Sequence, residues 1–216
     1  VMPETAPLIK KKAVKSYGAE ITYCAPNLAA RESTLDELVK NTGATFIHPY
    51  NNKDIISGQG TAAIELLNEI VDLDIVMAPV GGGGLLSGTS IAVKGLNPRV
   101  QVVAAEPKNA DDAYRSFKLG YLVPSENPNT IADGLLTSLC DLTFKIISEK
   151  VDEIVTVSEE AIVEAMRIIW ERMKIIIEPS SAVPLAAVLE HKKLFSGKKL
   201  GIILSGGNVD LDKLPF

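Results

Sequence analysis

Cysteine and histidine are nearly missing from this chain, with two of each in 216 residues. Cys24 and Cys140 stand far apart and form no metal or redox spacing, so a reduced, cytoplasmic setting is the simplest expectation. His48 and His191 have no triad-like context, which leaves acyl transfer without support, and His48 reads as structural. Positive charge is also scarce: 22 Lys and Arg stand against 27 Asp and Glu, for a net charge of −5. The one basic run, Lys10-Lys11-Lys12, suits a solvated helix face. No basic tract is interleaved with aromatics, so nucleic acid is not an expected partner. No apolar run reaches the roughly 18 residues of a membrane span, so no membrane partner is expected either. What is present, 46% hydrophobic and 23% charged residues, is ordinary globular composition.

The chain is organised around residues 74–80, a short β-branched apolar run, followed by Gly81-Gly82-Gly83-Gly84. Residues 85–95 then have helical spacing. A strand that ends in glycines and runs into a helix makes a ready anion site. The glycines let the backbone come close to a ligand, and the first helical turn offers unpaired N–H groups at the positive end of the dipole. A plain strand-to-helix turn needs one or two glycines, not four. The dinucleotide fingerprint Gly-x-Gly-x-x-Gly fails, because Leu86 or Ser87 falls on its last position. The P-loop pattern fails because Thr89 follows Gly88 where a lysine is required. A small monophosphate held by main-chain amides fits the loop better.

The rest of the chain alternates helices and strands. Helices are expected at 7–17, 27–40, 61–71, 85–95, 111–119, 158–174 and 178–194. Strands are expected at 20–24, 44–48, 74–80, 100–105, 154–157 and 199–204, and loop at 51–60 and 123–130. Continuous apolar strands alternating with helices read as an α/β fold whose parallel sheet is wrapped by helices. Ligands bind such sheets at the carboxyl ends of the strands. Three strands end in suggestive chemistry: the four glycines, Glu106, and Ser205-Gly206-Gly207-Asn208.

Five segments then carry a resemblance by their order and spacing. They are Gly81 to Gly88, Glu106-Pro107, Thr130-Ile131-Ala132-Asp133-Gly134, Glu178-Pro179-Ser180, and Ser205-Gly206-Gly207-Asn208-Val209-Asp210. The chain resembles the fold-type II pyridoxal-phosphate enzymes, which are tryptophan synthase β-like, and within them the serine racemase group with its serine and threonine dehydratase relatives. The resemblance implies that Gly81, Gly82, Gly83, Gly84 and Leu85 hold the 5′-phosphate of pyridoxal phosphate. It implies that Ser205 meets the pyridine nitrogen and that Asn51 meets the 3′-hydroxyl. It implies a magnesium or calcium site at Glu106, the Ala110 carbonyl and Asp112, an all-oxygen set suited to a hard cation. The same acids also suit a helix N-terminus. It implies that Arg31 responds to the substrate carboxylate, and that Tyr17, Lys174 and Asn208 bind ATP as an allosteric activator at a homodimer interface. The implied activity is interconversion of L- and D-serine, with β-elimination of serine to pyruvate and ammonia. A threonine or serine dehydratase, or a non-catalytic ligand-binding module, is the alternative.

The family's Schiff-base lysine, in a Ser-x-Lys-x-Arg-Gly context, and its opposite-face serine have no counterpart in these residues. The opening Val1-Met2-Pro3 reads as the tail of a strand whose start is absent. The expectation is therefore a piece of a longer enzyme, inactive by itself. Residues 1–51 would be the remnant of a small mobile domain, and 52–216 an incomplete large cofactor-binding domain.

Overall fold

The computed structural model describes residues 1–216, with Leu28 described only by its place in a helix. The chain divides into two units, residues 1–47 with 208–215 and residues 48–207 with 216.

In the first unit β1 (Met2–Pro3) pairs in parallel with β2 (Tyr23–Cys24), and α1 (Leu8–Ser16) lies between them in sequence. The helix α2 (Leu28–Thr42) follows. Asn27 caps it by accepting from the Ala30 amide, and Gly43 ends it in the left-handed conformation at φ +70°. The strand expected at 44–48 does not form. Extended backbone becomes a strand only when a neighbour satisfies its N–H and C=O groups, and no described strand runs alongside. The strand expected at 20–24 shrinks to its last two residues for the same reason.

The second unit is built on a four-stranded parallel sheet in the order β5-β4-β3-β6. It begins with α3 (Lys53–Glu69), capped by the Asn52 side chain, which accepts from the Asp54 and Ile55 amides. This helix starts inside the stretch expected to be loop. Its interior Gly60 serves packing rather than a turn: a Cβ there would lie 2.8 Å from the Gly88 carbonyl oxygen of the facing helix. Next come β3 (Ile75–Pro79), buried along its whole length, and α4 (Gly84–Leu96). β4 (Gln101–Pro107) pairs with β3 in register, Ile75 opposite Gln101 and Pro79 opposite Ala105. α5 (Asp112–Leu119) and α6 (Asp141–Lys150) lead to β5 (Glu153–Val157), which pairs with β4. The helix expected at 158–174 is α-helical as α7 (Glu159–Ile168), then widens into a π turn at Ile169–Met173 and stops at Lys174 with φ +59°. After α8 (Pro179–Glu190), β6 (Leu200–Ile202) returns to pair with β3.

The core lies between sheet and helices, with Val76, Ala78, Leu86, Val102, Ala104 and Ile154 almost fully buried. Parallel strands send their carboxyl ends to one edge, so β3, β4 and β6 deliver the glycine run, Glu106 and Ser205 there.

The α3–α4 contact fixes where the glycine run lies. A Cβ on Gly88 would sit 2.3 Å from the Ile56 carbonyl oxygen and 2.5 Å from the Gly60 nitrogen, both backbone atoms that cannot step aside. Gly88→Ala is expected to destabilise the chain by about 2–4 kcal/mol in denaturant unfolding. Gly95, on the same helix, has nothing within 4 Å of where a Cβ would stand. Gly95→Ala is expected to stabilise the chain by about 0.5–1 kcal/mol.

Candidate active site

The corner between β3 and α4 begins where the sheet lets go. Val80 still donates its amide to the Ala105 carbonyl at 3.0 Å. Among the described residues the amides of Gly81 to Leu85 donate to nothing, and the first helical bond is Ser87 N–H to the Gly83 carbonyl at 2.9 Å. Gly83 turns the chain with φ +85°, and a Cβ there would meet Leu139, Thr143 and Ile147 within 2.7–2.9 Å. A Cβ on Gly82 would be 2.5 Å from the Tyr50 ring. The glycines are therefore required twice over, by the turn and by what packs on it.

These residues open onto a cavity of about 350 Å³ lined by Gly81, Gly82, Gly83, Gly84 and Leu85, and also by Ser205, Tyr50, Gly134, Glu178 and Ser180. That volume suits a small ring-and-phosphate ligand. The β3–β6 pairing places the serine tip beside the glycine corner, so both ends of one ligand can be reached. Around them, Ser180 Oγ accepts from the Gly134 amide at 3.1 Å, which holds the 133–135 turn against the cavity. The cradle of free amides, the glycine backbone that tolerates no Cβ, and a hydroxyl across the gap fit pyridoxal phosphate. No lysine is among the lining residues.

Two groups that shape the site have no place in the motifs above. Thr143 is fully buried, and its hydroxyl donates to the Gly82 carbonyl at 3.0 Å, pinning the loop from below. It also caps α6 by accepting from the Cys140 amide at 3.1 Å. A Cys-x-x-Thr spacing is not the usual capping box, so no sequence signal marked it. Tyr50 lies over Gly82 because Pro49 and Tyr50 turn tightly around His48. The His48 Nδ1 accepts from the amides of Tyr50 at 3.3 Å and Asn51 at 2.9 Å. This gives His48 a structural task. Asn51 itself is not among the lining residues, whereas Tyr50 is.

At the end of β4, the fully buried Glu106 carboxylate accepts from the Ala113 amide at 3.0 Å and the Tyr114 amide at 2.8 Å, capping α5. Burial first, and then the Asp112 charge, push its pKa well above the ordinary carboxylate range, against the pull of those two amides. Asp112 is also fully buried, and neither of its carboxylate oxygens has a partner in normal hydrogen-bond geometry. Burial pushes its pKa up to about 6. Ala110, between them in sequence, is buried as well. An orphaned buried carboxylate beside a second one fits a hard cation. Among the described residues no group of three or more acidic, histidine or cysteine side chains is arranged for a metal, so such a site must rely on main-chain oxygen.

Tyr17, Arg31 and Asn208 belong to the first unit, and Lys174 to the second, at the end of the π turn. No helix is long and apolar enough to cross a membrane among the described residues.

Comparison with known proteins agrees with this geometry. A family model described as pyridoxal-phosphate dependent enzyme matches residues 1–206. The β-hydroxyaspartate dehydratase of Paracoccus denitrificans is 51% identical over 216 residues, covering all of this chain and 69% of that protein. The serine racemase of Dictyostelium discoideum is 52% identical over 219 residues, covering 99% of this chain and 67% of that one. The solved structure of maize serine racemase superposes with a TM-score of 0.94 at 42% identity, over 97% of this chain and 65% of that one. The chain thus spans about two thirds of the length of these relatives.

Asp112 makes stability depend on pH. Its folded pKa is raised, so the folded chain holds a proton that the unfolded chain has released, and stability falls as pH rises from about 4 through about 6. In metal-free buffer, the stability of the wild type relative to Asp112→Asn is expected to drop by roughly 2–3 kcal/mol between pH 4 and pH 7. A pH-independent difference in chemical denaturation would contradict the burial argument.

Proposed function

Since the chain belongs to the pyridoxal-phosphate dependent enzyme family, we propose that it forms the cofactor-holding part of a serine racemase that also eliminates water from serine. The observation that carries the reading is the cavity shared by the unpaired glycine-corner amides and the Ser205 hydroxyl. When bound, pyridoxal phosphate supplies an electron sink for the pair left at Cα as an amino acid loses its proton. The chain's own residues do the holding. The amides of Gly81 to Leu85 neutralise the phosphate at the positive end of α4. Ser205 offers a hydroxyl, not a charge, to the ring nitrogen, so the nitrogen need not be protonated and the sink is a mild one. A mild sink suits reversible loss of the Cα proton and departure of a β-hydroxyl. Tyr50 and the 133–135 turn line the cavity beside the glycine corner. Residues 1–51 are assigned to the small mobile domain, with Arg31 answering the substrate carboxylate. The 3′-hydroxyl contact is assigned to Asn51. ATP activation through Tyr17, Lys174 and Asn208 in a homodimer, and a cytoplasmic location, complete the proposal.

A dehydratase is the second reading, favoured by the 51% identity to a β-hydroxyaspartate dehydratase. The two chemistries share the first proton loss and part afterwards. One returns a proton to the opposite face, and the other expels the β-hydroxyl.

For the metal, Glu106, Asp112 and the Ala110 carbonyl would hold magnesium or calcium, which would bind the β4 tip to α5 and remove the cost of burying two acids. The racemase reading is tested by incubating the protein, completed to the length of its relatives, with L-serine and pyridoxal phosphate and resolving the enantiomers while assaying pyruvate. D-serine together with pyruvate is expected. Pyruvate alone selects the dehydratase, and neither product, from a protein completed to the length of its relatives, rejects both. The 216-residue chain alone is expected to give neither, with no lysine of the cavity labelled by borohydride. Magnesium or calcium at ten to a hundred times its Kd is expected to stabilise the wild type by about 1–3 kcal/mol and leave Asp112→Asn unchanged. Equal shifts in both proteins would place the cation elsewhere.

A further inference from the structure

Ser205 does not stand alone. Ser181, on the first turn of α8, is fully buried and lies behind it, outside the residues that line the cavity. The Ser181 Oγ is 3.1 Å from the Ser205 Oγ. It is also 2.6 Å from both the amide nitrogen and the carbonyl oxygen of Gly206. A serine hydroxyl has one proton and two lone pairs. The Gly206 amide donates into one lone pair, which leaves the proton and the other lone pair to be divided between Ser205 and the Gly206 carbonyl.

Two arrangements follow. In the first, Ser181 donates to the Gly206 carbonyl and accepts from Ser205, which turns the Ser205 proton away from the cavity. In the second, Ser181 donates to Ser205, whose own proton then points into the cavity. The Gly206 carbonyl is not orphaned by that change, because the Glu178 amide already donates to it at 3.0 Å. The 2.6 Å contact to the Gly206 carbonyl favours the first arrangement, and the second satisfies every buried group once the Ser181 Oγ draws back from that carbonyl. An acceptor in the cavity selects the second. The bonds then run in one direction, from the Gly206 amide through Ser181 to Ser205, and such a run strengthens its outermost donor.

Resting on the reading that Ser205 meets a neutral ring nitrogen, we propose that Ser181 is a positioning residue that turns the Ser205 proton toward the nitrogen of the bound cofactor. It touches neither cofactor nor substrate and acts only through Ser205.

The test compares two ligands by equilibrium dialysis. One is pyridoxine 5′-phosphate, which has no aldehyde to react with lysines. The other is its 1-deaza analogue, in which C–H replaces the ring nitrogen. The proteins are the wild-type chain, Ser205→Ala, Ser181→Ala, and Ser181→Cys, which keeps the side-chain volume but donates weakly. The wild type is expected to prefer the nitrogen-containing ligand by about 3- to 10-fold, the worth of one net hydrogen bond. Ser181→Ala and Ser181→Cys are expected to lose most of that preference while binding the deaza analogue within about twofold of wild type, since only the donor is lost. If both Ser181 variants keep the preference while Ser205→Ala loses it, the Ser181 proposal fails and the Ser205 reading stands. If a Ser181 variant weakens both ligands equally, its role is structural and the proposal also fails. If the wild type shows no preference at all, the Ser205 contact is wrong and the proposal falls with it.

Discussion

A run of consecutive amides with no acceptor is the constraint on which this structure turns. Gly81 to Leu85 lie where β3 has ended and α4 has not yet begun to bond to itself, and no described group accepts from them. Unpaired amides in a largely buried corner are costly unless something outside the chain meets them. They converge with the α4 dipole, so the partner that repays the cost is an anion. Much of the surrounding packing keeps this corner in shape. Gly88 locks α4 against α3, Thr143 holds the Gly82 carbonyl, and Tyr50 covers Gly82 from above. The cradle is thus a backbone feature, held in place by the side chains packed around it.

Sheet topology supplies the second half of the site. β3 is central, with β4 on one side and β6 on the other, and all run the same way. One end of the sheet therefore collects the glycine corner, the Ser205 hydroxyl and a buried acidic pair without any long-range folding device. The acidic pair shapes α5 as well, because the Glu106 carboxylate caps that helix while Asp112 in its first turn is left without partners. A carboxylate that caps a helix and a carboxylate left without partners are built from adjoining turns of chain.

Sequence made some of this plain and hid the rest, for physical reasons. The glycine corner could be read because its function rests on backbone, and backbone freedom is written directly as glycine. The parallel sheet could be read because strands buried on both faces must be continuously apolar, as 102–105 is. The start of α3 was hidden, since Gly58 and Gly60 look like loop residues until the facing helix shows that Gly60 makes room for Gly88. The strand at 44–48 was overread, because propensity says nothing about whether a pairing neighbour exists. Thr143 and Ser181 escaped notice because each works through a contact across the fold, 61 residues away to Gly82 in one case and 24 to Ser205 in the other. Tyr50 was visible only as a neighbour of Asn51, and its position over Gly82 depends on a turn around His48 that no periodicity encodes.

The central claim is that the amides of Gly81 to Leu85 seat the cofactor phosphate while Ser205 meets the ring. The most direct measurement is an amide ¹H–¹⁵N NMR titration of the chain with pyridoxine 5′-phosphate. The account predicts saturable shifts concentrated at Gly81, Gly82, Gly83, Gly84 and Leu85, with Ser205 and Gly206 moving at the same concentration. Saturable binding that leaves these amides in place and moves another part of the chain would contradict it.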